Sequence, residues 1–139
     1  MPAEQVVLVN DADEVIGSVP KATVDGPQTP LHRGFSLFAF NRRGELLLQQ
    51  RAFHKLTWPG VWSNSCCGHP APGESYVDAA VRRAKYELGV TLGQAWQAAP
   101  YRYRLSKNNI EENEICPIIV GAVDGDPRPN PAEVAATRW

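Results

Sequence analysis

One segment near the middle of this 139-residue chain has the full pattern of an amphipathic helix. Ser75 and Asp78, three residues apart, match a capping box, and Gly89 stands where a helix would end in the left-handed conformation. Between these caps, apolar residues recur at spacings of four, three and four, at Val77, Val81, Ala84 and Leu88. The pattern predicts one helix that turns this apolar face towards the core.

The rest of the chain consists mainly of short strand-like stretches separated by turn-forming residues. These stretches cover residues 5–9, 14–19, 35–40, 45–51, 61–67, 101–105, 114–123 and 134–139. Loops are expected at residues 23–30, 68–73, 106–113 and 124–131, and Asn41-Arg42-Arg43-Gly44 predicts a hairpin turn. Many strands around a single helix predict an α+β fold or a three-layer sandwich, and they argue against a doubly wound βαβ repeat.

Length and composition are those of an ordinary single domain spanning residues 1–139. Fourteen Lys and Arg against fifteen Asp and Glu exclude a broad basic surface for nucleic acid. No apolar run approaches the roughly twenty residues of a membrane span, and no signal-peptide core is present. Three cysteines, Cys66, Cys67 and Cys116, are too few for a disulfide scaffold. We therefore expect a cytoplasmic protein that binds neither nucleic acid nor membrane.

Histidines and carboxylates form one candidate site. His32 precedes a predicted strand, His69 follows another, and Glu112 and Glu114 project to one face of an extended chain. Imidazole with several carboxylates suits Mg²⁺, Mn²⁺ or Zn²⁺ better than it suits a soft metal. The alternative is a solvated acidic loop with two structural histidines, since such residues often occur together by chance. His54, the third histidine, is interpreted as a surface residue.

Basic residues form a second candidate set, which could hold an anion. They are Lys21, Arg51, Lys55, Arg82, Arg83 and Lys85. On the predicted helix, Arg83 and Glu87 lie four residues apart, and the spacing alone favours a surface ion pair worth roughly a few tenths of a kcal/mol. The alternative is that Arg83 contacts a phosphate while Glu87 holds its Mg²⁺.

Residues 68–90 resemble the Nudix box, a loop and helix with the pattern G-x5-E-x7-R-E-x-x-E-E-x-G followed by an aliphatic residue. The positions in register are Gly68, Glu74, Arg82, Glu87, Gly89 and Val90. Arg83 and Tyr86 stand at two positions that are acidic in the family. Nudix diphosphohydrolases gather Mg²⁺ with this row of glutamates, so the two replacements argue against hydrolysis. A Nudix diphosphohydrolase remains an alternative.

Further motifs resemble type I isopentenyl diphosphate isomerase, a branch of the Nudix superfamily. They are Trp58-Pro59-Gly60-Val61-Trp62, Cys67-Gly68-His69-Pro70, Tyr86-Glu87-Leu88-Gly89 and Glu112-Asn113-Glu114-Ile115-Cys116-Pro117. The similarity runs from about residue 21 to residue 139 and implies a Nudix-like mixed-sheet α/β/α sandwich. Members of this family interconvert isopentenyl and dimethylallyl diphosphate. They add a proton to one face of a carbon–carbon double bond and remove one from the other.

Carried over by position, the resemblance implies a role for each motif residue. Cys67 and Glu114 are the proton-transfer pair, with Tyr103 beside the carboxylate, and we expect Glu114 to donate and Cys67 to accept in the forward direction. The implied metal ligands are His32, His69, Glu112 and Glu114. The implied diphosphate contacts are Lys21, Arg51, Lys55 and Arg83. Glu87 holds the Mg²⁺ that bridges the diphosphate, which replaces the surface ion pair.

Two departures from the family pattern bear on these expectations. Asp25 stands where the family has a histidine, and a carboxylate there could bind a hard cation and would favour Mg²⁺ or Mn²⁺ over Zn²⁺. The family also continues beyond Trp139 into a helical part with a tryptophan that faces the carbocation, so we expect a C-terminally truncated domain. A catalytically inactive diphosphate-binding domain is therefore a further alternative. The expected partner is a small allylic or homoallylic diphosphate, and the expected state is a monomer or weak dimer.

Overall fold

The computed structural model describes residues 4–139, in which twelve strands and two helices are present. The strands are β1 (Gln5–Val9), β2 (Val15–Pro20), β3 (His32–Arg33), β4 (Phe35–Phe40), β5 (Leu48–Arg51), β6 (Trp62–Ser63), β7 (Cys66–Gly68), β8 (Leu92–Ala99), β9 (Arg102–Lys107), β10 (Ile110–Ile115), β11 (Ile118–Val123) and β12 (Val134–Arg138). The helices are α1 (Lys21–Val24) and α2 (Tyr76–Leu88). Within residues 4–139, neither helix has the length and apolar character needed to cross a bilayer.

Three sheets organise these strands, and two of the sheets are mixed. The first has the order β2-β1-β3-β10-β9, the second β7-β4-β11-β8 and the third β12-β5-β6. The pairs β3–β10 and β4–β11 are parallel, and the other pairings are antiparallel. Because β3 leads directly into β4 and β10 into β11, the chain passes from the first sheet to the second twice, with the two crossings side by side. This arrangement confirms the predicted α+β class with mixed sheets.

The core lies between the second sheet and α2. Phe35 and Leu37 of β4, Ile119 of β11 and Leu88 of α2 are all fully buried. Burial of each such side chain contributes roughly 1.5–3 kcal/mol. Cys66 of β7 is buried in the same cluster, whereas Cys67, the next residue, is exposed on the opposite face. The two thiols therefore lie on opposite faces of β7, as adjacent residues of a strand do.

Helix α2 begins and ends where the caps predict. The Ser75 hydroxyl accepts a hydrogen bond from the Asp78 N–H at 3.0 Å, and Gly89 ends the helix at φ 65°. The predicted core face is partly wrong, because Val81 is 36% exposed. The buried residues are Ala79, Ala80, Arg83, Ala84, Glu87 and Leu88. The small alanines allow the helix to lie close to the sheet. The buried face that they form also includes Arg83 and Glu87.

Several strand boundaries also differ from the prediction. The predicted strand 61–67 is two short strands, and 114–123 is divided at Pro117, which has no N–H for a ladder. The 45–51 segment makes the expected turn after β4, yet its strand begins at Leu48 and joins the third sheet. The predicted loop 106–113 is largely a hairpin, because Asn108 and Asn109 adopt the positive φ values of a tight turn. Strand β8 and the short helix α1 were not predicted.

Candidate active site

A cavity of about 760 Å³ opens between the sheets and receives side chains from all three of them. Helix α1 and the loop between β5 and β6 complete its wall, and α2 contributes two charged side chains. The predicted site residues that line it are Lys21, Asp25, Arg51, Lys55, Cys67, His69, Arg83, Glu87, Tyr103, Glu112 and Glu114. The fold therefore brings the acidic, basic and thiol residues together, although they are far apart in the sequence.

His32, His69 and Glu114 lie close together, and of these His69 and Glu114 line the cavity. Each offers a ligand atom, and these atoms all lie within 4.8 Å of one another. His32 lies opposite Glu114 in the parallel β3–β10 pairing, and His69 follows directly after β7. The crossing between the two mixed sheets is therefore what assembles this group.

The donor atoms of this group fit a divalent cation. His32 Nδ1 lies 2.9 Å from the Pro30 carbonyl oxygen, so this nitrogen carries the proton and Nε2 has a free lone pair. His32 Nε2 is buried without a hydrogen-bond partner, 4.0 Å from Glu114 Oε2. A histidine whose second nitrogen donates to a carbonyl group is the usual arrangement of a metal ligand. Burial also lowers the pKa of His69 to about 3, which keeps that imidazole neutral and able to coordinate.

Glu112 and Asp25, which the resemblance places at the same centre, lie beside the group of three and outside it. The Trp58 indole N–H donates to Glu112 Oε1 at 3.3 Å, and the Tyr103 hydroxyl lies 3.1 Å from Glu112 Oε2. Burial raises the pKa of Asp25; the nearby His32 opposes this rise and Glu112 reinforces it. Both carboxylates are therefore close enough to His32 and to each other to add negative charge beside this group.

Glu114 is, with Glu87, one of the two buried carboxylates that line the cavity. It is 7% exposed, and burial raises its pKa to about 7, while the Tyr103 hydrogen bond at 2.8 Å acts in the opposite direction. The predicted position of Tyr103 beside this carboxylate is therefore observed. Gly34, at the crossing from β3 to β4, leaves room for Glu114, because a Cβ atom there would overlap Glu114 Oε1.

The Cys67 thiol faces the same cavity. It donates to Asn64 Oδ1 at 3.5 Å, and the Ser36 hydroxyl lies 3.7 Å from its sulfur atom. The Cys67 side chain is exposed to the cavity, whose surrounding protein still removes enough water to raise the pKa of the thiol; the hydrogen bonds with Asn64 and Ser36 oppose that rise. The thiol and the Glu114 carboxyl are thus two titratable groups that a small substrate in the cavity could contact together.

Arg83 and Glu87 form an ion pair at 2.8 Å, but the pair is not on the surface. The two residues are 7% and 5% exposed, and both side chains lie in the cavity wall. The spacing alone predicted an exposed ion pair, and that exposure is wrong. Both residues lie on the same buried face of α2 as its alanines.

The other basic side chains predicted to contact the diphosphate line the cavity, and each already pairs with an oxygen atom of the protein. Lys21 lies 3.5 Å from Glu4, Lys55 pairs with Glu133, and Arg51 donates to the Thr57 carbonyl and hydroxyl groups. Arg82 lies apart from this set, since it bonds Glu74 and the His69 carbonyl.

Residues with direct contacts to the site that were not assigned to it from the sequence include Ser36, Gln49, Asn64 and Glu133. Gln49 had a usable signal, because strand alternation places it on the same face as the buried Leu47. Trp58 lies in a quoted motif, but nothing in that motif indicates its bond to Glu112. Glu133 follows a proline-rich loop and has no local signal.

Comparison with known proteins finds one matching domain family and close relatives that share one name. The NUDIX domain model matches residues 30–139. The isopentenyl-diphosphate Delta-isomerase of Saccharopolyspora erythraea is 52% identical over 138 residues, which cover 98% of this chain and 71% of that protein. The protein of the same name from Paenarthrobacter aurescens is 50% identical, covering 98% of this chain and 75% of its own length.

Solved structures add the fold. The DR0079 protein of Deinococcus radiodurans has a TM-score of 0.73 and 24% identity, covering 98% of this chain and 82% of that one. The MutT protein of Methanosarcina mazei has a TM-score of 0.64 and 22% identity, with coverage of 79% and 76%. At these identities the likeness shows the fold alone, and it confirms the Nudix-like architecture.

Proposed function

The chain belongs to the NUDIX family and, within it, to the isopentenyl-diphosphate Delta-isomerases, and from that premise we propose that it converts isopentenyl diphosphate into dimethylallyl diphosphate in isoprenoid biosynthesis. The observation that carries the proposal is one cavity lined by the Cys67 thiol, the buried Glu114 carboxyl group and four cationic side chains. Two proton-transfer groups suit the isomerisation, and the cations suit a diphosphate.

Cys67 and Glu114 are the proposed proton-transfer pair. Glu114 donates a proton to the terminal methylene carbon, which leaves a tertiary carbocation at C3. Cys67, in its thiolate form, then accepts a proton from C2, so that the double bond moves by one position. One proton is gained and one is lost, no electron is transferred, and the bond to the diphosphate stays intact. In the reverse direction the two residues exchange roles.

The four cations of the cavity bind and orient the diphosphate. Lys21, Arg51, Lys55 and Arg83 exchange their present oxygen partners for diphosphate oxygens. Arginine suits this contact because its planar fork matches two oxygen atoms at once. With the charged end held, the five-carbon chain extends towards Cys67 and Glu114.

His32, His69 and Glu114 would hold a divalent cation, for which we propose Mg²⁺ or Mn²⁺, with Glu112 and Asp25 adding charge beside them. Carboxylate oxygens favour these hard cations, although the two imidazoles also allow Zn²⁺. When bound, the cation supplies positive charge that fixes the Glu114 carboxyl group and makes its proton more acidic. Glu87 would hold a second ion, Mg²⁺, against the diphosphate.

Solvent exchange tests the reaction directly. Purified protein with Mg²⁺ and Mn²⁺ in D₂O is expected to incorporate deuterium into isopentenyl diphosphate and to form dimethylallyl diphosphate. C67S should lose this activity by roughly 10²–10⁴-fold, the usual contribution of a positioned acid or base. C116S makes the same chemical change at the other thiol that lines the cavity, 3.4 Å from the Ser36 hydroxyl, and should lose far less activity than C67S.

The other outcomes contradict the proposal. Release of phosphate or of a nucleoside monophosphate that survives in C67S would identify a diphosphohydrolase. Tight binding of the diphosphate by folded protein without any deuterium exchange would identify an inactive binding domain.

A further inference from the structure

We infer that Gln49 is a positioning residue that holds the Glu87 carboxylate in the direction required for Mg²⁺ and the diphosphate. The inference rests on the proposed function, since it concerns the same cavity. Gln49 belongs to β5, and no motif indicates a role for it.

The Gln49 side chain is built into the wall behind Glu87. Gln49 is 4% exposed, and its Nε2 group donates to the Ser65 carbonyl at 2.7 Å and to Glu87 Oε1 at 3.3 Å. Both N–H bonds of the amide are therefore used. A buried amide with fixed partners has little freedom to turn, so its N–H defines where Glu87 Oε1 lies.

The other Glu87 oxygen has two partners of a different kind. Arg83 donates to Glu87 Oε2 from Nε and lies at 2.8 Å from it through Nη2, and the buried Cys66 thiol donates at 3.4 Å. Arg83 is the partner that must turn towards a diphosphate. Once it does so, Gln49 and Cys66 are the described side chains that still hold the carboxylate, and an amide is the stronger donor of the two.

A neutral donor suits this position for an electrostatic reason. A hard divalent cation binds a carboxylate that keeps its negative charge. A lysine or arginine behind Glu87 would neutralise that charge permanently, whereas an amide orients the carboxylate and leaves the charge in place. The short Gln49–Ser65 bond anchors the amide to the backbone beside β7, so its position does not depend on the ligand.

Binding of Mg²⁺ and inorganic pyrophosphate to Q49M separates positioning from a merely structural role. Methionine keeps the length of the side chain and removes both donors. In calorimetric titrations we expect the Mg²⁺ concentration that half-saturates pyrophosphate binding to rise about tenfold, as expected for loss of one hydrogen bond to a charged group. Pyrophosphate binding in EDTA, which depends on the cations alone, should stay within about twofold of the wild type.

The neighbouring glutamine provides the matched control. Gln50 donates to the Gly60 carbonyl from the other face of β5, so Q50M makes the same chemical change without touching Glu87. It should leave the Mg²⁺ dependence unchanged. Q49H, which retains an N–H donor at a similar reach, should recover part of the lost Mg²⁺ affinity.

Three results would overturn the inference: an unchanged Mg²⁺ dependence in Q49M, an equal shift in Q50M, or an equal loss of pyrophosphate binding in EDTA. Each of these is measured by binding on protein with a verified melting transition. They are therefore independent of whether the wild-type chain exchanges deuterium, which is the test of the proposed function itself.

Discussion

Gly34 leaves the space that the carboxylate of the proposed proton donor, Glu114, occupies. A Cβ atom there would overlap the Glu114 carboxylate, which Tyr103 and its own burial hold in place. G34A should therefore push the carboxylate away from the cavity. We expect kcat to fall by roughly 10²–10⁴-fold. Overpacking should lower the free energy of unfolding by about 1–3 kcal/mol. Deuterium exchange per folded molecule and chemical denaturation measure the two effects.

Gly17 offers the matched control. It lies in β2, and a Cβ atom added there would meet only Leu8 Cδ1 at 4.0 Å, an ordinary contact. G17A should retain activity and stability. A G34A protein with wild-type kcat would show that Glu114 does not need its present position.

The site residues that could be predicted from the sequence are those that belong to short sequence motifs. Cys67, His69, Glu112 and Glu114 lie in short motifs, and the structure places all four in one cavity wall. Gln49 was beyond such reasoning because its partner Glu87 is 38 residues away and on another element. A contact of that kind depends on the fold, and the sequence indicates only that Gln49 faces inwards.

At the scale of elements, the tip of the β9–β10 hairpin closes on the loop between β5 and β6. The Lys107 ammonium lies 4.3 Å from the centre of the Trp58 ring, whose N–H donates to Glu112. Trp58 holds this position with φ 50°, a rare value for a bulky residue. The strained backbone at Trp58 therefore depends on stabilising contacts. Two of them, with Lys107 and with Glu112, can be removed separately.

W58F and K107M make this separation. W58F keeps a ring face for Lys107 and removes the donor to Glu112, so we expect kcat to fall about tenfold, the effect of one hydrogen bond to a charged group. K107M removes the cation and should lower the free energy of unfolding by about 0.5–1 kcal/mol while kcat stays near the wild-type value. Steady-state kinetics and urea denaturation measure these effects. Equal losses of kcat in the two variants would contradict the separate roles.

Helix α2 shows how an apolar pattern can predict an element and misplace its face. The caps and the spacing fix its bounds, but Val81 of the predicted face is exposed, while Ala80, outside that face, lies against the core. Periodicity counts large apolar residues, whereas close packing against β7 and β4 selects small ones. The buried Arg83 and Glu87 follow from the same rotation, which no hydrophobicity pattern could indicate.

Two substitutions test this orientation of the helix. V81K should change the free energy of unfolding by less than about 0.5 kcal/mol, because position 81 faces solvent. A80L should lower it by about 1–3 kcal/mol, since Ala80 is fully buried although it lies outside the predicted apolar face. Urea denaturation of both variants provides the comparison. A large loss in V81K would favour the face that the sequence pattern predicts.

At the scale of the whole molecule, the three candidate metal ligands come from elements that belong to different sheets. His32 and Glu114 belong to the first sheet, and His69 follows β7 of the second. The strand pairs were partly predictable from alternation, but the double crossing was not, because it depends on parallel pairing across about eighty residues. The group is therefore a product of the tertiary fold, and an ion bound there would link the two sheets.

Such a link predicts that a divalent ion stabilises the native chain. At a Mn²⁺ concentration one hundred times the dissociation constant, the free energy of unfolding should rise by about 2.7 kcal/mol, and EDTA should reverse the rise. H69Q removes one of the three ligands and should abolish it, measured as the shift in melting temperature between Mn²⁺ and EDTA. His54 is exposed and outside the group, so H54Q should keep the full shift. Equal shifts in H69Q and the wild type would place the ion elsewhere. An ion bound between the two sheets by His32, His69 and Glu114 must stabilise the chain less once one of these ligands is removed.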